Sequence, residues 1–166
     1  MDGWWETVWT VIRQEFSDLP EASEAIRVCV RLLMAVLLGG VLGFERETAG
    51  SYAGLRTHML VALGAALFVL VPLQMDYSSD AMGRVLQGVI SGIGFLGAGA
   101  IIKLSHEQEI RGLTTAASIW LTAAIGITAG MGRELTAILG TLFALLILAL
   151  LRIAKLIPGS HNKHDN

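Results

Sequence analysis

Long apolar runs alternate with short polar connections through most of this chain. Runs at about 26–44, 55–72, 85–102, 113–130 and 135–151 are each bounded by charged or turn-forming residues. A helix that crosses a bilayer needs about 20 mostly apolar residues, at about 1.5 Å of rise each. The pattern predicts an all-α integral membrane protein with about five transmembrane helices. The connections at 74–84, 103–111 and 131–134 leave no room for a second domain. Ahead of the first run, apolar residues at 4, 5, 8, 9, 12 and 16 share one helical face. Three of them are Trp4, Trp5 and Trp9, which predicts an amphipathic helix lying in the headgroup layer. Asp18 followed by Pro20 reads as the start of the first spanning helix, with Arg31 snorkelling toward the interface. The predicted division is an interfacial segment at 1–19, a transmembrane domain at 20–156 and a short cytoplasmic tail at 157–166.

Composition agrees with the pattern. Of 166 residues, 54% are hydrophobic and 16% charged, with a mean hydropathy of +0.63. Soluble domains rarely combine these values. The net charge of -2 offers no basic stripe for phosphates, which excludes nucleic acid as a partner. The lone Cys29 allows no internal disulfide, and no Cys/His spacing resembles a zinc site. The start of the chain carries Asp2 and Glu6 in place of a basic region, so it does not read as a signal peptide.

A shift of 58 positions places Gly54-Leu55 on Gly112-Leu113, Thr57 on Thr115 and Ala65-Ala66 on Ala123-Ala124. This predicts two helical hairpins of the same sense plus a fifth helix, with their two polar loops side by side. Lys and Arg are biased toward those loops and the tail, through Arg46, Arg56, Lys103, Arg111, Arg152, Lys155 and Lys163. The bias predicts an outside N-terminus and a cytoplasmic C-terminus.

Gly92 to Gly97 reads G-x-G-x-x-G, but without a preceding strand it is not a dinucleotide site. Gly39/Gly43, Gly88/Gly92 and Gly126/Gly130 are spaced by four, which suits close helix packing within or between subunits. An alternative is that the segment with Ser91, Gly92, Gly94, Gly97 and Gly99 is unwound and offers carbonyls to a cation. Spans two to five carry no Asp, Glu, Lys or Arg near their middles, where Gln87, Ser91, Thr115, Ser118, Thr122 and Thr128 are the polar content. Pumps and voltage sensors place ionisable groups in the bilayer, and no catalytic set is present, so an enzyme is not expected. The charges gather instead in the two loops: Glu45, Arg46, Glu47, Arg56, Thr57 and His58 in the first, Lys103, His106, Glu107, Glu109 and Arg111 in the second. They suggest a recognition surface for a partner or ion, although His58, one turn into the second span, is better suited to a bond across helices. Glu45 and Glu47 are weak candidates for Mg²⁺, since neighbouring arginines compete for them. No cofactor is otherwise expected.

Gly43-Phe-Glu-Arg46, then 53–58 (Ala-Gly-Leu-Arg-Thr-His), then 89–101 (Val-Ile-Ser-Gly-Ile-Gly-Phe-Leu-Gly-Ala-Gly-Ala-Ile) and 110–120 (Ile-Arg-Gly-Leu-Thr-Thr-Ala-Ala-Ser-Ile-Trp) resemble the MgtC/SapB family. The blocks occur in order and cover roughly residues 30–150. The resemblance implies a bacterial inner-membrane protein linked to growth under magnesium limitation and, in pathogens, to survival inside host cells. It implies regulation of other membrane proteins. A homo-oligomer, with a dimer favoured, is the expected assembly. The alternative is an oligomeric cation channel or Mg²⁺ transporter with its site near the glycine-rich third span. Carried over by motif, the positions of interest are Glu45, Arg46, Arg56, Thr57, Ser91, Gly92, Gly94, Gly97, Arg111 and Thr114. Some members have Asn in place of His58 and Cys in place of Leu121, and many add a soluble C-terminal domain, for which this sequence has only a short tail.

Overall fold

A computed structural model describes residues 3–17, 21–103 and 110–156. Six helices follow one another: α1 (Gly3–Glu15), α2 (Ala22–Thr48), α3 (Leu55–Gln74), α4 (Ser79–Gly99), α5 (Leu113–Gly130) and α6 (Glu134–Leu156). Between α4 and α5, β1 (Ile102–Lys103) and β2 (Ile110–Arg111) form a two-residue antiparallel ladder, with Ile102 opposite Arg111. The protein is all-α apart from this tie. Helices α2, α3, α4 and α5 are long and apolar enough to cross a membrane. Helix α6 continues the pattern with 23 residues.

The packing centre is the trio α2, α3 and α5. Helix α4 lies on the α3/α5 side and α6 on the α2/α5 side. The core is built largely from alanine: Ala35, Ala62, Ala66, Ala129, Ala137 and Ala144, with Leu38, Leu42 and Ile125. Lipid tails are as apolar as a leucine, so membrane helices gain little by hiding bulk from them. They gain dispersion contacts when small residues let backbones approach. Gly39 and Gly43 meet this need on α2. A Cβ at Gly39 would lie 2.8 Å from the Ala62 Cβ, and one at Gly43 would lie 2.7 Å from the Leu55 Cα. Gly126 and Gly130 do the same on α5, where added Cβ atoms would lie 2.8 Å from the Ala62 and Ala66 Cα atoms respectively.

Helix α4 departs from the sequence expectation in two ways. Its backbone is α-helical from Ser79 to Gly99, so the unwound segment at Ser91 to Gly99 is not present. Its carbonyls are turned along the helix axis and are not presented to a cation. Gly88, Gly92, Gly94 and Gly99 would also meet nothing within 4 Å on gaining a Cβ. Among the described residues they have no close neighbour, while a Cβ at Gly97 would lie 3.7 Å from the Ala116 Cβ.

The helix starts coincide under the 58-residue shift, since Leu55 opens α3 and Leu113 opens α5. The two hairpins run in the same sense but differ at the joint. Gly54 is extended with φ -107, whereas Gly112 is left-handed with φ +94, its carbon facing the Ala100 carbonyl. Only glycine combines that φ with so close an approach. The start of α2 also shifts from the expected Asp18. Its cap position is Glu21 and its first residue Ala22. Residues 18–20 and the tail at 157–166 lie outside the described residues. Helix α1 buries none of its residues, and Trp4, Trp5 and Trp9 are all exposed.

Candidate functional site at the loop end of the bundle

The C-terminal ends of α2 and α4 and the N-terminal ends of α3 and α5 meet at one end of the bundle. Most of the motif residues are found there, and their contacts explain their spacing. Glu47, in the last turn of α2, reaches across the connection and accepts a hydrogen bond from the Leu55 backbone N–H at 2.8 Å. The first N–H groups of a helix lack internal partners, and a carboxylate also suits the positive end of the helix dipole. Glu47 therefore caps α3 from outside it. A Cβ at Gly54 would lie 2.6 Å from the same carboxylate oxygen, so the glycine admits the cap. Replacing Glu47 with alanine is expected to lower stability by about 1 kcal/mol, read as a reduced midpoint of thermal unfolding in detergent. Glu47→Gln keeps an acceptor oxygen and is expected to recover about half of the loss.

His58, one turn into α3, is fully buried at 0% exposure. It does not lie on the recognition surface expected for it. Its Nδ1 is 2.9 Å from the Gly54 carbonyl oxygen. A carbonyl can only accept, so Nδ1 carries the proton. In the neutral ring Nε2 is then an acceptor, and the Ser118 hydroxyl of α5 lies 3.2 Å from it. The Ser118 hydroxyl has a single proton, which it donates either to Nε2 or to the Thr115 carbonyl oxygen at 2.8 Å. The Thr115 hydroxyl, in turn, is 2.9 Å from that of Ser51 in the first loop. This chain of polar groups fastens the first loop and α3 to the first turns of α5. Thr57, the counterpart of Thr115 under the internal shift, is exposed.

What remains for outside contact is smaller than the sequence suggests. Glu45 and Arg46 are half-buried, with Arg46 Nε 3.5 Å from Glu45 Oε2. Arg56, Thr57 and Arg111 are exposed, and Thr114 opens toward a cleft beside Leu113 and Ala117. The Lys103 backbone lies in β1. Its side chain, and all of His106, Glu107 and Glu109, fall outside the described residues. Among the described residues no three His, Cys, Asp or Glu side chains gather as a metal cluster. Glu45 faces Arg46 and Glu47 is occupied with Leu55, so neither carboxylate is held open for a cation.

One contact of charge escaped sequence reading. Arg31 turns inward at the opposite end of the bundle, where Nη1 donates to the Gly130 carbonyl at 3.4 Å. A Cβ at Gly132 would lie 2.8 Å from the guanidinium carbon. The cation thus closes the C-terminal end of α5, where unpaired carbonyls favour positive charge. The glycine with φ +72 at 132 is the only local signal for it.

A multi-pass helical membrane protein with small-residue packing and a polar lock between its two hairpins is the class that this fold and site define. The chain belongs to the MgtC family, whose model matches residues 32–156. Protein SrpB of Synechococcus elongatus is 47% identical over 130 residues, 72% of this chain and 71% of SrpB. YhiD of Escherichia coli K12, provisionally named a magnesium transporter, is 43% identical over 126 residues, 72% of this chain and 58% of YhiD. Protein MgtC of Salmonella typhimurium LT2 is 45% identical over 125 residues, 75% of this chain and 52% of MgtC. The chain therefore spans little more than half the length of the last two. No solved structure matches it.

Proposed function

We propose that this protein acts in a bacterial inner membrane to modulate magnesium-linked ion homeostasis and stress survival through contacts with other membrane proteins. The observation that carries this reading is the loop end of the bundle. There a locked scaffold presents exposed Arg56 and Thr57 beside the half-buried Glu45–Arg46 pair, while the membrane interior of the described spans offers no charged path. The names of the MgtC and YhiD relatives support the link to magnesium. The loop end faces the cytoplasm in this proposal, with the N-terminus outside, in keeping with the bias of Lys and Arg. The protein acts as a homo-oligomer, favoured as a dimer, and the open glycine row of α4 supports an interface there.

The double substitution Glu45→Gln/Arg56→Gln tests the surface. Insertion and oligomeric state are expected to stay as in the wild type, while complementation of growth in low magnesium falls by at least about tenfold, the value of about one charge-assisted hydrogen bond. Full complementation by the double variant would remove the surface from the mechanism.

An oligomeric cation channel or Mg²⁺ transporter is the second reading. The cleft of about 580 Å³ between α3 and α4 is lined by apolar side chains and glycines and offers a cation no ligand, so this reading rests on the names of the relatives alone. Purified protein in liposomes separates the two, since selective cation flux without any partner belongs only to the channel.

A further inference from the structure

At the end of the bundle opposite the loops, a polar cavity of about 380 Å³ opens between α2, the C-terminal end of α3 and the end of α5. Two cations, Arg27 and Arg31, line it from one face of α2, four residues apart. Two carboxylates, Glu24 and Asp76, line it as well, together with the Gln74 amide. Among the described residues these four charges form no ion pair with one another. The Arg31 Nε is buried without a hydrogen-bond partner, although Nη1 is engaged by Gly130. Leu70 and Leu73 of α3 supply an apolar wall, and the cavity lies at the ends of α2, α3 and α5, three of the helices long and apolar enough to cross a membrane.

Charges of both signs that leave one another unpaired around a polar cavity suit a ligand that is itself dipolar. The backbone adds to the same field. The N-terminal end of α2 contributes partial positive charge, and the C-terminal ends of α3 and α5 contribute partial negative charge. An arginine fork matches a phosphate in geometry and charge. A primary ammonium offers three donors to carboxylates, an amide oxygen and helix-end carbonyls. A purely anionic group would leave Glu24 and Asp76 facing like charge, and a metal cation would face the two arginines.

We propose that this cavity binds a phosphoethanolamine headgroup of a membrane phospholipid, with the phosphate at Arg27 and Arg31 and the ammonium at Glu24 and Asp76. The acyl chains leave along the apolar wall into the bilayer. A choline headgroup fits less well, because its quaternary nitrogen has no N–H to donate. The bound headgroup also bridges α2 to the turn after α3, which ties the outer rim of the bundle to lipid composition.

The test uses the full-length protein purified in mild detergent, with lipid retention read by native mass spectrometry. Phosphatidylethanolamine is expected to be retained over phosphatidylcholine by about tenfold, the value of one or two charge-assisted hydrogen bonds. Arg27→Gln is expected to reduce retention of both lipids, whereas Glu24→Gln and Asp76→Asn reduce only the preference for the ethanolamine lipid. Arg27, Glu24 and Asp76 take no part in the core, and circular dichroism of each variant establishes that it is folded. Arg31 is left unchanged because it also closes α5. Equal retention of the two lipids, or retention indifferent to all three substitutions, would overturn the proposal. Displacement of the lipid by inorganic phosphate or soluble phosphoethanolamine at equal concentration would overturn the assignment to a lipid, since the apolar wall would then contribute nothing.

Discussion

Gly126→Ala is expected to destabilise the protein by about 3 kcal/mol, the upper range for an overpacked interior. The new methyl group would stand 2.8 Å from the Ala62 Cα and 2.9 Å from its carbonyl carbon. Those atoms are backbone, and they lie within a helix, so no side-chain rotation relieves the contact. The remaining response is for α5 to move away from α3. That movement costs dispersion contacts between α3 and α5 and pulls Ser118 from His58. Thermal unfolding of the purified protein in detergent checks this, with Gly88→Ala as the control. Gly88 sits in the same small-xxx-small spacing but has nothing within 4 Å of its added carbon. Its substitution is expected to leave subunit stability unchanged or raised by up to about 1 kcal/mol through helix propensity. Equal midpoints for Gly126→Ala and the wild type would mean that α3 and α5 do not approach as closely as described.

The second large effect is expected at His58. Replacement by alanine removes a buried side chain that joins Gly54 to Ser118, at 2.9 and 3.2 Å. Each hydrogen bond contributes about 1 kcal/mol net, and the cavity adds a further cost. A loss of about 3 kcal/mol is expected in total. Ser118→Ala removes only one of the two bonds and is expected to cost about 1 kcal/mol. The double variant separates a coupled lock from two independent contacts. A coupled lock gives a double-variant loss smaller than the sum of the single losses by at least about 0.5 kcal/mol. Additive losses would show that His58 and Ser118 act independently. His58→Asn is the informative partial replacement, because a shorter amide keeps one donor and one acceptor but reaches less far. It is expected to recover about half of the loss.

The motif around Glu45 to His58 was visible in the sequence as a charged interruption between apolar runs. Its division of labour was not. Glu47 looked like a member of an acidic pair, yet its partner is a backbone N–H eight residues away, brought near by a turn. His58 read as an interfacial residue suited to a bond across helices; the structure gives that bond, but neither its complete burial nor its partner was legible. That partner is Ser118, 60 residues further on, and no local pattern records so distant a contact. Similarly, Gly88/Gly92 and Gly126/Gly130 have the same spacing. Among the described residues only the second pair packs tightly against another helix, because α5 is central and α4 peripheral.

The sequence by itself determined that this is an all-helical membrane protein of several spans, and its internal shift suggested two hairpins of like sense. Bilayer thickness fixes the length of an apolar run, and the cost of burying charge fixes where the runs end. Those are local properties, countable along the chain. The tertiary structure alone decided which glycines pack, that Arg31 closes the end of α5 and that His58 is a lock. Each depends on which faces of the helices meet, and that choice follows from the summed fit of backbones within a few ångströms of one another.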